Sequence, residues 1–229
     1  MNDAELADFD RYSRNYEEIM AKALGSVGGE ATYYLSQKVK LLKSLLPHLT
    51  TPVVMDFGSG VGGAVPFLRD VFLPARLICV DESIESLKKL GARYPEVQTA
   101  LLGDVADQSV DLIFVANVLH HIPKQSRGDV LGRVVQKLTV GGLIAFFEHN
   151  PLNPLTRRVV ASCEFDVGVE LLGRKDLRRL IEQFGNLTIE RNGYCMFIPE
   201  PFRIVANLDR FFIKVPLGAQ HFVIGKRSS

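Results

Sequence analysis

The spacing of apolar residues changes near residue 50 of the chain. Before that point apolar positions recur at helical intervals in two groups, the first ending at Gly25 and the second at Pro47. The first group is Leu6, Phe9, Tyr16, Ile19, Met20, Ala23 and Leu24, and the second is Tyr34, Leu35, Val39, Leu42, Leu45 and Leu46. After Val53, short apolar runs alternate with amphipathic helical segments. The pattern predicts N-terminal helices over residues 1–50, followed by an α/β region.

Short apolar runs mark the strands of this region. They cover residues 53–55, 77–80, 97–102, 110–116 and 143–147, and two further runs, 187–189 and 222–224, lie near the end of the chain. Helices are predicted between the runs, one capped by Gly91 and another stopping at Gly141 and Gly142. Continuous rather than alternating apolar residues indicate burial on both faces. The pattern therefore favours a parallel α/β sheet, in which ligands bind at the carboxyl ends of the strands.

The regular alternation stops after residue 150. A loop rich in Pro and Asn opens an irregular stretch that extends to Gly173, and an aromatic segment with Phe197, Phe202, Phe211 and Phe212 separates the last two strands. We expect a domain over residues 51–229 with cap insertions near 150–173 and 195–217, and residues 1–50 as a helical lid. The aromatic segment admits three interpretations, namely core packing, an apolar pocket wall or an interface.

Composition excludes several classes of protein. The 229 residues carry 27 basic and 26 acidic side chains, and 47% are hydrophobic, which suits one folded domain rather than disorder. A net charge of +1 argues against non-specific nucleic-acid binding. No apolar run approaches the ~20 residues of a membrane span, and residues 1–10 do not resemble a secretory signal. Three widely spaced cysteines suit reduced thiols. We therefore expect a cytoplasmic protein.

A glycine-rich loop follows the first predicted strand, which ends at Asp56. It reads Asp56-Phe57-Gly58-Ser59-Gly60-Val61-Gly62-Gly63. Glycines let the backbone turn tightly and approach a ligand closely. The loop satisfies both the dinucleotide pattern G-x-G-x-x-G and the pattern G-x-G-x-G, so the glycines alone leave the ligand open. The Asp56 carboxylate would repel a pyrophosphate and suits a ligand that is cationic at this loop.

Two further acids follow the next predicted strands. Asp81 lies where a carboxylate can accept both hydrogen bonds of a ribose diol, although it could instead cap the following helix. Asp104, after the third strand, could accept a hydrogen bond from an exocyclic amine such as that of adenine, or be a solvated turn residue.

These residues resemble class I S-adenosylmethionine-dependent methyltransferases. The resemblance covers about residues 50 to 150 and rests on the run Val53 to Pro66, Asp81, Gly103-Asp104 and the block Asp111 to Pro123, which contains Asn117 and His120-His121. It implies a Rossmann-like, mostly parallel seven-stranded sheet with an antiparallel C-terminal strand, and helices on both faces. It also implies S-adenosylmethionine as cofactor.

The resemblance assigns cofactor contacts by position. Asp56, Gly58, Gly60 and Gly62 would hold the methionine part, Asp81 the ribose, Asp104 and Val105 the adenine, and Asn117 the sulfonium region. Lys38, on the helix before the first strand, could meet the cofactor carboxylate.

Histidines near the carboxyl ends of two strands are candidate bases for the transfer. Methyl transfer from a sulfonium needs alignment and exclusion of water, and a hydroxyl or carbon nucleophile also needs a base. His121 is the first candidate and His149 the second. No paired acids and no histidines four residues apart occur here, so the sequence predicts no metal ion.

Residues after the fifth predicted strand bear on the class of the methyl acceptor. The run from Glu148 to Thr156, with Cys163 to Asp166 behind it, resembles a bacterial subgroup of small-molecule methyltransferases associated with sugars, glycolipids or secondary metabolites. We therefore expect a small-molecule acceptor, no nucleic-acid partner and no integral membrane segment. An NAD(P)-dependent oxidoreductase with the same glycine loop and a non-catalytic cofactor-binding scaffold are the alternatives.

Overall fold

In the computed structural model, which describes residues 31–163, 166 and 168–228, seven strands pair into one sheet. The strands are β1 (Val53–Phe57), β2 (Arg76–Val80), β3 (Gln98–Ala100), β4 (Val110–Ala116), β5 (Leu138–His149), β6 (Leu187–Cys195) and β7 (Gln220–Arg227). Their order across the sheet is β3-β2-β1-β4-β5-β7-β6. Strands β1 to β5 pair in parallel, whereas β7 is antiparallel to both of its neighbours. The predicted sheet is confirmed.

Helices cover both faces of the sheet. The α-helices are α1 (Ala31–Leu45), α2 (Val65–Phe72), α3 (Ile84–Arg93), α4 (Arg127–Gln136), α5 (Pro154–Ser162) and α6 (Arg174–Glu182). Neighbouring residues of β1 point to opposite faces: Val54 packs in a core with α1 and α2, and Met55 in a core with α4 and α6. Burial of both faces explains why the central strands are apolar at consecutive positions.

Several boundaries differ from the sequence prediction. Helix α3 continues through Gly91 to Arg93, because the Tyr94 N–H still donates to the Leu90 carbonyl and helical geometry is lost only at Tyr94. Helix α4 ends at Gln136 and not at the two glycines of residues 141–142. These glycines lie in β5, where Gly141 has a φ of +83° close to a register shift against β4.

Predicted elements near both ends of the chain can be compared with the observed helices and strands. The second predicted N-terminal helix is confirmed as α1, whose buried face includes Val39 and Leu42. The first predicted helix, over residues 6–25, lies outside the described residues. The last two strands are longer than the apolar runs that marked them. Within the described residues, no helix is both long and apolar enough to span a membrane.

The sheet order reverses direction between β1 and β4. Strands β2 and β3 lie on one side of β1, whereas the chain crosses to the other side to form β4 and β5. A crevice opens at such a switch point, outside the carboxyl ends of the strands. The glycine-rich loop after β1 and the turn after β4 meet there.

Candidate functional site

A cavity of about 390 Å³ lies at this switch point. Its floor comes from the glycine loop and the ends of β2, β4 and β5, and its walls come from α1, α5 and the segment between β6 and β7. The size falls within the range of about 300–1,000 Å³ that is usual for small-ligand sites. The elements that the sequence marked as irregular therefore contribute walls to one ligand-sized space.

The glycine loop is held in place by β2. The N–H groups of Gly58 and Ser59 both donate to the Val80 carbonyl, at 2.8 and 3.0 Å, and the Gly60 N–H donates to the Asp81 carboxylate at 2.8 Å. Gly58 has a φ of +75°, and a Cβ added there would lie 2.4 Å from Cγ2 of Val118. The loop can therefore pass this point only with glycine.

Two charged groups are buried at the cavity beside this loop. Asp56 is the fourth residue of β1, and its Oδ2 has no hydrogen-bond partner among the described residues. Burial, and then the charge of Asp81, raise the pKa of Asp56 to about 7, although Lys38 opposes the shift. Burial lowers the pKa of Lys38 to about 8, even though nearby acidic groups favour its charged form. The cavity thus offers a carboxyl group and an amine to a ligand that carries both a positive and a negative charge.

Asp81 joins the glycine loop to the start of α3. One carboxylate oxygen accepts from Gly60 and the other accepts from the Ser83 N–H at 2.9 Å. The helix N-cap is Ser83, whose hydroxyl accepts from the Ser86 N–H. Asp81 is therefore not the N-cap of α3 and lines the cavity, where its carboxylate can accept from a ligand hydroxyl.

Three predicted cofactor residues do not line this cavity. Gly62 has a φ of +85°, and a Cβ there would lie 2.9 Å from Cγ of Leu90, so the glycine allows close packing of the loop on α3. Asp104 lies in a short 3-10 helix and accepts from the Leu101 N–H at 3.3 Å. Val105 is buried in the same core as Met55. Predicted contacts of Asp104 and Val105 with adenine remain predictions.

Asn117 begins the turn that follows β4. It adopts a φ of +58°, its N–H donates to the Phe147 carbonyl, and its Oδ1 accepts from Nε2 of Gln220 at 3.1 Å. Both Asn117 and Gln220 line the cavity. The turn is also bound to β5, because Oε1 of Glu148 accepts from the N–H groups of Val118 and Leu119 at 3.1 and 2.7 Å.

A cluster of imidazoles and carboxylates forms the opposite end of the cavity. Nδ1 of His120 lies 2.6 Å from Oε2 of Glu148, in a pair whose side chains are each 1% exposed. Nε2 of His120 and Nε2 of His121 lie 3.4 and 3.5 Å from the same oxygen, Oδ1 of Asp166. The ring of His149 packs 5.1 Å from that of His120. Both sequence candidates for a base, His121 and His149, line the cavity.

Neighbouring side chains of this cluster differ in their protonation state at neutral pH. Burial alone would lower the pKa of His120, but the carboxylates of Glu148 and Asp166 outweigh it and raise that pKa to about 9. Burial would raise the pKa of Glu148, but His120 and the backbone N–H donors lower it to about 2. Burial, and then the charge of His120, lower the pKa of His121 to about 4 and that of His149 to about 3. At neutral pH an ion pair therefore lies beside two uncharged imidazoles.

Three members of this cluster are not sequence-predicted site residues. The sequence marks His120 only as one of a pair, and Glu148 and Asp166 only as parts of the resembling runs. A polar residue at the end of an apolar strand is a signal that could have pointed to Glu148. The three cysteines are buried and form no disulfide, in agreement with the prediction of free thiols.

The sequence of the chain is similar to those of known methyltransferases. Residues 55–146 match the family model described as a methyltransferase domain. A curated relative, the trans-aconitate 2-methyltransferase of Variovorax paradoxus, is 27% identical over 165 residues, which are 66% of this chain. The match spans 61% of that relative's length.

Solved structures share the fold of the whole described region. Phosphoethanolamine N-methyltransferase 1 of Haemonchus contortus gives a TM-score of 0.68 at 16% identity, over 99% of this chain and 49% of that one. Magnesium protoporphyrin IX methyltransferase of Synechocystis, with bound S-adenosylmethionine, gives 0.63 at 12% identity, over 100% of this chain and 99% of that one. An S-adenosylmethionine-dependent methyltransferase of Mesorhizobium loti gives 0.58 at 20% identity, over 82% and 96%. The family model, the curated relative and the sheet order together support a class I S-adenosylmethionine-dependent methyltransferase.

Proposed function

We propose that the chain transfers a methyl group from S-adenosylmethionine to a small-molecule acceptor that binds in the same cavity. One observation carries this proposal: the buried charges beside the glycine loop and the uncharged imidazoles of His121 and His149 line one continuous space. The cofactor supplies a methyl group on a sulfonium. The chain aligns the two reactants, excludes water and accepts a proton from the acceptor.

The residues at the glycine loop fit the amino-acid end of the cofactor. That end carries an ammonium and a carboxylate, and the cavity offers the unpartnered Oδ2 of Asp56 and the buried ammonium of Lys38. A buried charge is costly unless it is paired, so a ligand with both charges satisfies both groups. Asp81 would accept the ribose hydroxyls, and the backbone of Gly58 to Gly60 allows close approach.

His121 and His149 are the proposed proton acceptors. Each imidazole is uncharged at neutral pH, because burial and the charge of His120 lower its pKa. An uncharged imidazole can accept a proton, and the lowered pKa makes each ring a weaker base than free imidazole until a neighbouring charge stabilises its protonated form. Asp166 lies 3.5 Å from His121 and would stabilise the imidazolium that forms there.

A small-molecule acceptor is supported by the walls of the cavity. Segments from three parts of the chain close over the space: Tyr34 and Leu35 of α1, Asn153 to Val159 at α5, and Met196, Phe197 and Leu217 between β6 and β7. These segments fall within the proposed lid, 1–50, and the proposed caps, 150–173 and 195–217. Walls from three segments around one cavity suit a small acceptor, and the resemblance of residues 148–156 favours a sugar, glycolipid or secondary metabolite.

Binding measurements test the cofactor half of the proposal. S-adenosylhomocysteine should bind with one site per chain and raise the melting temperature, whereas NAD should do neither. At about 100 times the dissociation constant, the stabilisation should reach about 2.7 kcal/mol. Tight binding of NAD without binding of S-adenosylhomocysteine would instead support the oxidoreductase alternative.

An acceptor screen tests the catalytic half. Release of S-adenosylhomocysteine from S-adenosylmethionine is followed for a panel of small molecules, and the best acceptor is then used with His121→Ala and His149→Ala. Loss of a general base should lower kcat by about 10²–10⁴-fold. The exposed His48 provides the control His48→Ala. Full activity in both cavity variants would contradict the proposed bases, and binding of the cofactor with no acceptor turned over would support the scaffold alternative.

A further inference from the structure

We propose that His120, His121 and Asp166 form a binding site for a divalent transition-metal ion at the acceptor end of the cavity. Of these residues the sequence selects only His121, as a candidate base, and it predicts no metal ion. Asp166 reaches the histidines only through the tertiary fold. The proposal replaces the prediction made from sequence spacing.

The distances between the candidate ligand atoms fit one ion. Oδ1 of Asp166 lies 3.4 Å from Nε2 of His120 and 3.5 Å from Nε2 of His121. Nitrogen and oxygen ligands at about 2.0–2.1 Å in a tetrahedral shell lie about 3.4 Å from each other. One ligand atom from each of the three residues falls within 4.8 Å of the others.

The surroundings of His120 add a second observation. Its Nδ1 is bonded to Glu148 at 2.6 Å, and its buried Nε2 has no well-formed hydrogen bond among the described residues, since the Asp166 carboxylate lies 3.4 Å away. An imidazole that holds a carboxylate with one nitrogen and presents the other to a shared space has the arrangement found in carboxylate–histidine–metal sites. Glu148 is itself fixed by the N–H groups of Val118 and Leu119. The imidazole is therefore oriented before an ion arrives, and binding of the ion would displace the proton that His120 carries in the metal-free protein.

The ligand set indicates the class of metal. Two imidazoles and one carboxylate suit Zn²⁺, Fe²⁺, Co²⁺ or Mn²⁺, whereas Mg²⁺ and Ca²⁺ prefer oxygen ligands alone. Three protein ligands leave at least one coordination position open toward the cavity, as in catalytic rather than structural zinc sites. An acceptor oxygen, such as that of a hydroxyl or a carboxylate, is the ligand chemistry that fits this position.

The site also distinguishes the two candidate bases, and this step rests on the proposed function. A metal ion on Nε2 of His121 would occupy the lone pair of that ring, which would leave His149, the other candidate base that lines the cavity, to accept the proton. During transfer the bond from sulfur to the methyl carbon breaks as the bond from the acceptor oxygen to that carbon forms. The proton of the acceptor passes to His149, and S-adenosylhomocysteine leaves.

Direct metal binding tests the site without any acceptor. Tag-free full-length chain is treated with a chelator, dialysed and titrated with ZnCl₂ by calorimetry and with CoCl₂ by visible absorption. We expect one equivalent of each ion and a tetrahedral or five-coordinate cobalt spectrum. His121→Ala and Asp166→Ala should each weaken binding at least about tenfold. The controls His48→Ala and Asp129→Ala replace exposed residues outside the cavity and should bind as the unmodified chain does.

The outcomes separate this inference from the proposed function. Metal binding that is lost in both cluster variants, in a chain that methylates no acceptor, supports the site and overturns the function. Unimpaired methylation by chelated protein that binds no zinc overturns the site alone. Binding that is equal in Asp166→Ala and in the unmodified chain also overturns the site, provided that circular dichroism shows both to be folded.

Discussion

Asp56 and Lys38 show how individual residues of this site are prepared for a ligand. Both side chains are almost fully buried at the cavity, and burial disfavours the charged form of each. The ligand-free protein therefore holds two groups whose charges are poorly stabilised. A zwitterionic ligand end would relieve this cost, which is why the affinity of the cofactor should depend on the protonation of both groups.

The first prediction concerns the pH dependence of S-adenosylhomocysteine binding. Asp56, with a pKa of about 7, must lose its proton to pair with the ligand ammonium, so affinity should rise with pH up to about 7. Lys38, with a pKa of about 8, must keep its proton to pair with the carboxylate, so affinity should fall above about 8. On the rising limb below pH 7 and on the falling limb above pH 8, the affinity should change by at most about tenfold per pH unit. Calorimetric titrations from pH 5.5 to 9.5 measure the profile.

Matched variants assign the two limbs of this profile. Asp56→Asn should remove the rising limb and weaken binding by about 1.5–3 kcal/mol. Lys38→Met should remove the falling limb. His48→Ala should reproduce the parent profile, and a profile that keeps both limbs in Asp56→Asn would refute the role given to this acid.

Gly58 gives the second prediction at this scale. In Gly58→Ala the new methyl group would lie 2.4 Å from Val118 in a backbone with a φ of +75°. The strain should cost about 1–3 kcal/mol of unfolding free energy, and the shifted loop should weaken cofactor binding. Urea denaturation and calorimetry measure the two effects. Gly103→Ala is the control, because nothing lies within 4 Å of its added Cβ; equal losses in both variants would contradict the steric argument.

The carboxyl end of β5 acts as an element that organises the turn after β4. Glu148 binds two backbone N–H groups of this turn with one oxygen and His120 with the other. Asn150, two residues later, donates to the carbonyls of Pro216 and Gly218 at 3.1 and 2.8 Å. One short segment thus fixes both the histidine turn and the segment that precedes β7.

The third prediction tests this organising role of Glu148. Glu148→Gln keeps the shape of the side chain but removes the charge that holds His120, so the buried imidazolium loses its partner. We expect a loss of about 1–3 kcal/mol in unfolding free energy and a larger loss of methyl transfer than of S-adenosylhomocysteine binding. Thermal denaturation and calorimetry measure these effects. Glu182→Gln, at an exposed position of α6, is the control, and unchanged stability in Glu148→Gln would refute the prediction.

At the scale of the whole molecule, two apolar cores hold the sheet between its layers of helices. Leu112 lies in central β4 and is fully buried in the core shared with α1 and α2. Ile113, its neighbour in the chain, is fully buried in the opposite core. Because the cavity lies at the end of this sandwich, the positions of all its residues depend on the packing of both layers.

The fourth prediction follows from this packing. Leu112→Ala should lower the free energy of unfolding by about 2–5 kcal/mol, because it removes buried methyl groups and leaves a cavity. Urea unfolding followed by circular dichroism measures the change. Leu152→Ala, at a loop position that is 65% exposed, should change it by at most about 0.5 kcal/mol. Similar losses in the two variants would contradict the account of the core.

Local pattern was enough to predict the strands, the glycine loop and the placement of Asp56 and Asp81. Apolar runs and glycine spacing reflect burial and backbone geometry over a few neighbouring residues, and these act in the same way wherever the segment lies. Helix ends were predicted less well, because Gly91 and the glycines of residues 141–142 are compatible with more than one backbone geometry.

Tertiary structure alone decided which polar groups meet. The strand order, with β7 between β5 and β6, brings Gln220 to Asn117, and the fold brings Asp166 to His120 and His121. The fold also shifts the pKa values of two histidines in opposite directions. Carboxylate partners raise the pKa of His120, whereas burial and the charge of His120 lower the pKa of His149. Sequence determined the family of the fold and its glycine loop through local chemistry, whereas contacts between distant segments determined the imidazole cluster, because pairing and burial exist only in the folded chain.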